Sequence, residues 1–322
     1  MILCCGEGLI DMVRTSVPGS GNGFLFMPGG CAYNTSVAIG RLGTPVKYIG
    51  KISNDFFGDI LLGRLKDNNV GDDLVVRTGL NTTLAIIDAG EEMPRYAFYT
   101  EGTSVPLFTE ADLPSALPAG TSCIVFGSIS MNMEPLAATV ESFIGRYQSE
   151  TDPVIAFDPN IRTFMINDLK VYAQRFEKWI AASTIVKISS EDYAIVYPDL
   201  DPQQALGKFI AMGPRLAICT LGSDGALAYL RRNDGSIVKV SAPAVKTQII
   251  DTVGAGDTFH GAFLSRLESR GKLSRAALAE LSETDLYDAL FFANKAASIV
   301  CSRHGSDSPA LEEVENYPAK GL

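Results

Sequence analysis

The chain has 322 residues, 46% of them hydrophobic and 20% charged, and its 37 Asp and Glu against 27 Lys and Arg leave a formal net charge of −10. A chain of this size removes about 75% of its extended surface from water on folding, enough for a self-sufficient core. The acidic balance excludes a basic footprint for duplex nucleic acid or an anionic membrane, so any polyanion that binds is small and held locally.

Apolar runs and helical periodicity alternate along the chain. They predict a strand at 2–5, a helix at 33–42, a strand at 46–50, a helix at 56–68, a strand at 123–127, a helix at 134–147 and a strand at 154–157. A helix at 168–182, a strand at 185–188, a helix at 203–212, strands at 216–220 and 226–230, and helices at 255–268 and 285–301 follow. Several strands are continuous apolar runs, as expected when both faces are buried. In the last helix Leu286, Ala289, Leu290, Ala293, Ala297 and Val300 fall on one face, with Thr284 as the expected N-cap. Two stretches interrupt the alternation. Residues 12–27 read as strand, Gly-rich turn and strand, and residues 84–99 as a hairpin around Glu91-Glu92, with Tyr96 and Phe98 alternating with Ala97 and Tyr99. They predict a small β-sheet lid from about 12–27 and 84–100, or, on periodicity alone, plain surface hairpins. The expected fold is α/β, a doubly wound, mostly parallel sheet with helices on both faces plus this small sheet, in a single domain over 1–322.

No run reaches the ~18 apolar residues of a membrane-spanning helix, and MILCCGEG has neither a basic n-region nor a small-residue cleavage site. A cytoplasmic protein is expected. Cys4, Cys5, Cys31, Cys123, Cys219 and Cys301 form no C-x-x-C pair and are expected to be reduced and structural. His260 and His304 lack metal-ligand spacing, so zinc is not expected.

The chemistry concentrates in Asp251-Thr252-Val253-Gly254-Ala255-Gly256-Asp257-Thr258-Phe259-His260-Gly261-Ala262-Phe263. Apolar residues recur at helical spacing after it, which places Gly254, Ala255 and Gly256 at a helix N-terminus, where free N–H groups and small side chains make an anion hole. Asp257 stands in the first turn. A carboxylate there would repel a phosphate it merely bound, so its task is to accept a proton from an attacking hydroxyl, and the helix dipole is expected to keep it ionised. The competing reading of G-A-G-D alone is a turn with glycines for close packing.

This segment resembles the C-terminal signature of the PfkB (ribokinase-like) carbohydrate kinases, and Gly29-Gly30-Cys31-Ala32-Tyr33-Asn34-Thr35-Ser36-Val37-Ala38 followed by Arg41-Leu42-Gly43 resembles the N-terminal one. The resemblance runs from about residue 2 to 310 and implies phosphorylation of a sugar hydroxyl by ATP with Mg²⁺. It implies that Asp11, Gly29, Gly30 and Asn34 bind sugar; a carboxylate and an amide bridge neighbouring hydroxyls where glycine lets backbone approach. Asp158-Pro159-Asn160-Ile161-Arg162 resembles the D-P-N-x-R of fructokinases and ketodeoxygluconate kinases, with Arg162 facing substrate or phosphate. The stretch from Phe56 to Tyr99 is most similar to fructokinases, with Tyr99 at the sugar, although Thr100 stands where many relatives carry an Arg. Thr220, Gly222 and Gly225 resemble the nucleotide loop and Asn294 the position flanking the purine. Ser189 and Asp192 occupy the family's Asn-x-x-Glu places, leaving Glu191 or Asp192 to organise Mg²⁺ through water. Where a K⁺ site exists it would involve Asp251, Val253 and carbonyls around Val300, Gly305 and Ser308.

Gly6-Glu7-Gly8 lacks the third glycine of a dinucleotide fingerprint, and there is no Walker A motif. The expectation is an ATP-dependent sugar kinase acting on a primary hydroxyl, fructose first, with 2-keto-3-deoxygluconate kinase and ribokinase as alternatives and an inactive sugar- or nucleotide-binding regulator as the alternative of another class. A homodimer through the lid is implied by the resemblance.

Overall fold

The computed structural model describes residues 1–17, 19, 21–88 and 95–318. Fourteen strands lie among them: β1 (Ile2–Cys5), β2 (Leu9–Val17), β3 (Gly21–Gly29), β4 (Val46–Ser53), β5 (Val70–Gly71), β6 (Val75–Thr78), β7 (Leu84–Asp88), β8 (Arg95–Tyr99), β9 (Cys123–Gly127), β10 (Val154–Asp158), β11 (Ile185–Ser189), β12 (Leu216–Thr220), β13 (Ala226–Arg231) and β14 (Ile237–Ala242). Ten α-helices accompany them: α1 (Cys31–Arg41), α2 (Phe56–Asp67), α3 (Leu136–Glu150), α4 (Leu169–Ala182), α5 (Ser190–Val196), α6 (Pro202–Met212), α7 (Ala255–Ser269), α8 (Arg275–Ala279), α9 (Glu283–Cys301) and α10 (Leu311–Asn316).

The large sheet runs β14-β13-β12-β11-β10-β9-β1-β4-β5, with β6 also on β4. Its pairs are parallel except β12-β13 and β13-β14. The apolar runs are continuous because each strand feeds two cores: in β1, Ile2 and Cys4 join the layer under α1, α7 and α9, and Leu3 and Cys5 join the layer under α3, α4 and α6. From β1 the chain goes one way to β4 and the other to β9, so the strand order reverses there, and ligands of open α/β sheets bind outside the carboxyl ends at such a point.

The four remaining strands form the small sheet β3-β2-β7-β8. β2 and β3 pair antiparallel from Leu9↔Gly29 to Val17↔Gly21, β2 and β7 pair parallel, and β7 and β8 antiparallel. The turn expected at Glu91-Glu92 lies outside the described residues. Asp11 sits inside β2, paired with Met27 and Ala85, and Ala85 pairs with Phe98, so these four share one face of the sheet.

Some elements were not expected. β14 shows only a short alternation, with Val240 and Ala242 buried. The short helices α5, α8 and α10 span too few residues for a period to emerge. Helix α9 starts earlier than Thr284: Ser282 is the N-cap, its Oγ accepting from Asp285 N while Asp285 bonds back, a capping box readable as Ser-x-x-Asp.

Candidate active site

Helix α7 begins after Gly254, whose φ of 76° is left-handed. A Cβ there would stand 2.5 Å from Ser306 Cβ, so only glycine fits this turn. Ala255 N donates back to Thr252 O at 3.2 Å, the amides of Gly256 and Asp257 are left without helical partners, and Asp257 is 7% exposed.

Helix α1 supplies the other wall. Gly30 (φ 107°) is its N-cap, and a Cβ on it would meet Glu7 O at 2.4 Å. Glu7 is buried and its carboxylate accepts from Cys31 N and Ser130 Oγ, which fixes the start of α1. One turn on, Asn34 does not cap locally. Its Nδ2 donates to Asp257 Oδ2 at 3.0 Å, and its Oδ1 accepts from Ser306 Oγ at 3.1 Å. The two segments singled out in the sequence therefore meet, because Gly261 of α7 lets α1 approach: a Cβ there would stand 3.0 Å from Ala38 Cβ.

Burial pushes the Asp257 carboxyl above its ordinary value; Asn34, the Cys31 thiol and Lys187 pull it down, and Asp158 pushes it up. Desolvation in a nearly closed site thus acts on this group beside the helix dipole expected from the sequence. A carboxylate raised in this way is a better proton acceptor.

At the carboxyl ends of adjacent strands, Asp158 of β10 and Lys187 of β11 form a buried ion pair, Nζ to Oδ2 2.9 Å. Sequence reasoning passed over Lys187; the readable signal was one charge inside a strand otherwise buried on both faces. A Cβ on Gly256 would lie 3.0 Å from Lys187 Nζ, which puts the ammonium against the anion hole. His260, fully buried, lies 3.8 Å from Asp158, and burial pushes it down to about 3, so it is neutral. Cys31, Asp158 and Asp257 hold their ligand atoms within 4.8 Å of one another, the one such acid and thiol group among the described residues.

On the small sheet, Asp11 faces this centre. Burial pushes its carboxyl up to about 7, Arg162 pulls it down, and Asp257 pushes it further up. Gly29 leaves room for it, since a Cβ there would stand 2.1 Å from Asp11 Oδ2. Arg162 donates to the carbonyls of Asn160 (3.4 Å) and Ile161 (3.2 Å) and makes no ion pair among the described residues, so its charge is available to a ligand. Tyr99 is a correction. It pairs with Leu84, which pairs with Ile10, and so lies on the sheet face opposite Asp11, 58% exposed. Phe98 takes its place on the Asp11 face, where it and Tyr96 stack on Phe164 at 5.2 and 5.1 Å.

Ser189 ends β11, in register with Thr220 at the end of β12. Its Oγ caps α5 by accepting from Asp192 N at 3.0 Å. Asp192 is buried, accepts from Ile161 N at 2.9 Å and is raised by burial and Asp158 against the pull of Lys187 and Arg162, whereas Glu191 is exposed. Gly222 (φ 57°) begins and Gly225 (φ 90°) caps a one-turn 3-10 helix, closed by Leu221 N to Gly225 O at 2.7 Å. Asn294 is buried and its Nδ2 donates to Ala242 O and Pro243 O, both at 3.0 Å, so the amide nitrogen fastens the end of β14. Asp251 accepts from Val253 N at 3.0 Å and Gly305 N at 2.8 Å, tying the loop before α7 to the one after α9.

The profile of the pfkB family carbohydrate kinases matches residues 1–313. A fructokinase of Rhizobium leguminosarum bv. trifolii is 36% identical over 288 residues, 89% of this chain and 85% of that one. Fructokinase-1 of Zea mays is 30% identical over 322 residues, 98% of this chain and 96% of that one. The crystal structure of a fructokinase with bound ATP from Xylella fastidiosa superposes with a TM-score of 0.87 at 27% identity, covering 98% of this chain and 96% of that one.

Proposed function

The chain belongs to the pfkB family of carbohydrate kinases, ATP-dependent phosphotransferases, and from that premise we propose that it transfers the γ-phosphoryl group of ATP to a primary hydroxyl of fructose. The observation that carries the reading is the 3.0 Å hydrogen bond between Asn34 and Asp257, which joins the sugar-facing helix to a base at an anion hole. Asp11 and Asn34 hold neighbouring hydroxyls and Phe98 covers the ring. Asp257 takes the proton of the attacking hydroxyl as its oxygen bonds the γ-phosphorus, the bond to the β-phosphate oxygen breaks, and ADP leaves. The amides of 254–257 stabilise the charge of the moving group, and positioning contributes more than basicity. The small sheet excludes water from the reacting centre.

Thr220, Gly222 and Gly225 cradle the nucleotide at the ends of β11 and β12, with Asn294 bounding the purine. Mg²⁺ fits beside Asp192, whose buried carboxylate belongs to the same charge group as Asp158, Lys187 and Arg162; when bound it neutralises the ATP phosphates. Asp251, with carbonyls of Val253 and Gly305, would hold K⁺ between the two loops that Asp251 already ties together. Phe24, Leu25 and Phe26 are 47, 55 and 47% exposed on β3, an apolar edge that supports a homodimer through the small sheet. Light scattering at micromolar concentration is expected to give a dimer; a monomer counts against it.

Thr100 removes the cation that would favour a sugar acid, and the relatives named above support fructose. The test is sugar-dependent ADP release across fructose, ribose, ketodeoxygluconate, tagatose and nucleosides. Fructose is expected to give the highest kcat/KM. A preference for ketodeoxygluconate or ribose would replace the substrate, and ATP binding without turnover on any acceptor would make the chain a regulator.

A further inference from the structure

Lys187 is 3% exposed, and its ammonium carries three N–H donors. One goes to Asp158 Oδ2 at 2.9 Å, and among the described residues the ammonium makes no other hydrogen bond. Asp158 Oδ1 is likewise buried without a partner. An ion pair taken out of water and left unsaturated on both sides is a poor stabilising device, because desolvation offsets its attraction. The groups facing the ammonium are Asp158 of β10, Cys31 of α1, Asp192 of α5 and His260 of α7. Burial pulls the ammonium down, but the acids around it, Asp158 foremost, leave it raised, so it stays charged. The free donors lie against Gly256, where a Cβ would come within 3.0 Å of Nζ.

We propose that Lys187 is a further catalytic residue: anchored on Asp158 through one N–H, its ammonium donates the others to the non-bridging oxygens of the phosphoryl group held at Gly254–Asp257. This rests on the reading of that turn as the phosphoryl site. Lys187 moves no proton, and the bonds made and broken are those already described. The ammonium adds a fixed positive charge where the amides supply only dipoles, and Asp158 keeps it from collapsing onto Asp257 and quenching the base. Glycine at 256 gives the ammonium room beside the helix start.

The experiment compares steady-state kinetics of Lys187→Met, Asp158→Asn, the double variant Asp158→Asn/Lys187→Met and Asp257→Asn, with folding followed by thermal melts. Lys187→Met is expected to lower kcat by about 10²–10³ with the fructose KM within about threefold. Should it fail to fold around an unpaired Asp158, the double variant decides: relative to Asp158→Asn alone, the added Lys187→Met is expected to cost kcat by at least about 30-fold. A double variant within about threefold of Asp158→Asn overturns the proposal and leaves the pair structural. Asp257→Asn separates the two failures: if it too turns over normally, the phosphoryl site is misassigned, and if it alone is inactive, only the role of Lys187 falls.

Discussion

Asp11 on the small sheet and Asp257 at the start of α7 are two carboxylates facing one site, and the charge of Asp257 adds to the burial that raises Asp11. Asp11, pushed up to about 7, accepts hydroxyl protons at both oxygens only when ionised. The fructose KM is therefore expected to rise about tenfold for each pH unit below 7 and to be flat above it. Asp11→Asn should raise KM and abolish this slope; a parallel slope in the variant would place the titration elsewhere. The same group bears on stability. Its folded value lies above the unfolded one near 3.8, so the folded chain loses stability as pH climbs from about 4 to 7 and no more beyond it. Asp11→Asn should melt higher than the parent, with a gap that widens over that window, read by differential scanning calorimetry. At this scale Asp257 was legible because its stretch of small residues announces a helix start, while Asn34 and Asp11 were named only through the family resemblance. Lys187 and Phe98 were not legible. The role of Lys187 depends on a partner 29 residues away, and the choice between Phe98 and Tyr99 depends on strand register, which a sequence with alternating aromatics does not fix.

The helix start is the element on which the site depends. Gly254→Ala is expected to cost roughly 1–2 kcal/mol from its left-handed backbone alone, more from the Ser306 contact, and to lower kcat as the amides turn away from the phosphoryl group. Denaturant titration and kinetics on one preparation read both. Ser189→Ala removes the cap of α5 and should cost about 1 kcal/mol, with the Mg²⁺ dependence of kcat weakened because Asp192 loses its anchored amide. An unchanged Mg²⁺ requirement would move the metal away from Asp192. Long helices such as α7 were readable from periodicity, and buried strands such as β1 from their continuous apolar runs. The short helices and β14 were not, because their placement comes from tertiary packing rather than a repeating pattern.

For the whole molecule, a chain of net charge −10 binds a triphosphate by local means. Backbone amides at one helix end, Arg162, which makes no ion pair among the described residues, and the buried Lys187 make a positive field a few ångströms across. The parallel sheet positions these groups at the carboxyl ends of β10, β11 and β12, and the small sheet brings Asp11 over them. Ligands spanning both sheets should tighten the assembly. ATP with Mg²⁺ and fructose together at about 100 times Kd should stabilise the fold by about 2.7 kcal/mol per site and raise Tm, more than either alone. Additive binding with no lid contribution would show fructose raising Tm equally in a variant with Phe98→Ala. The order of alternating elements made the doubly wound sheet and the two lid hairpins legible, while the pairing of one hairpin with the other was not, because β2 joins β7 across a long stretch of chain.

Asp257 is the group proposed to take the sugar's proton, and the most direct test of that role is the steady-state turnover of Asp257→Asn with ATP, Mg²⁺ and fructose, on protein shown by its melt to be folded. The amide keeps the Asn34 side of the site in shape but cannot accept the proton, so kcat is expected to fall by about 10²–10⁴ while the fructose KM changes little. A folded variant that turns over within about threefold of the parent would contradict it.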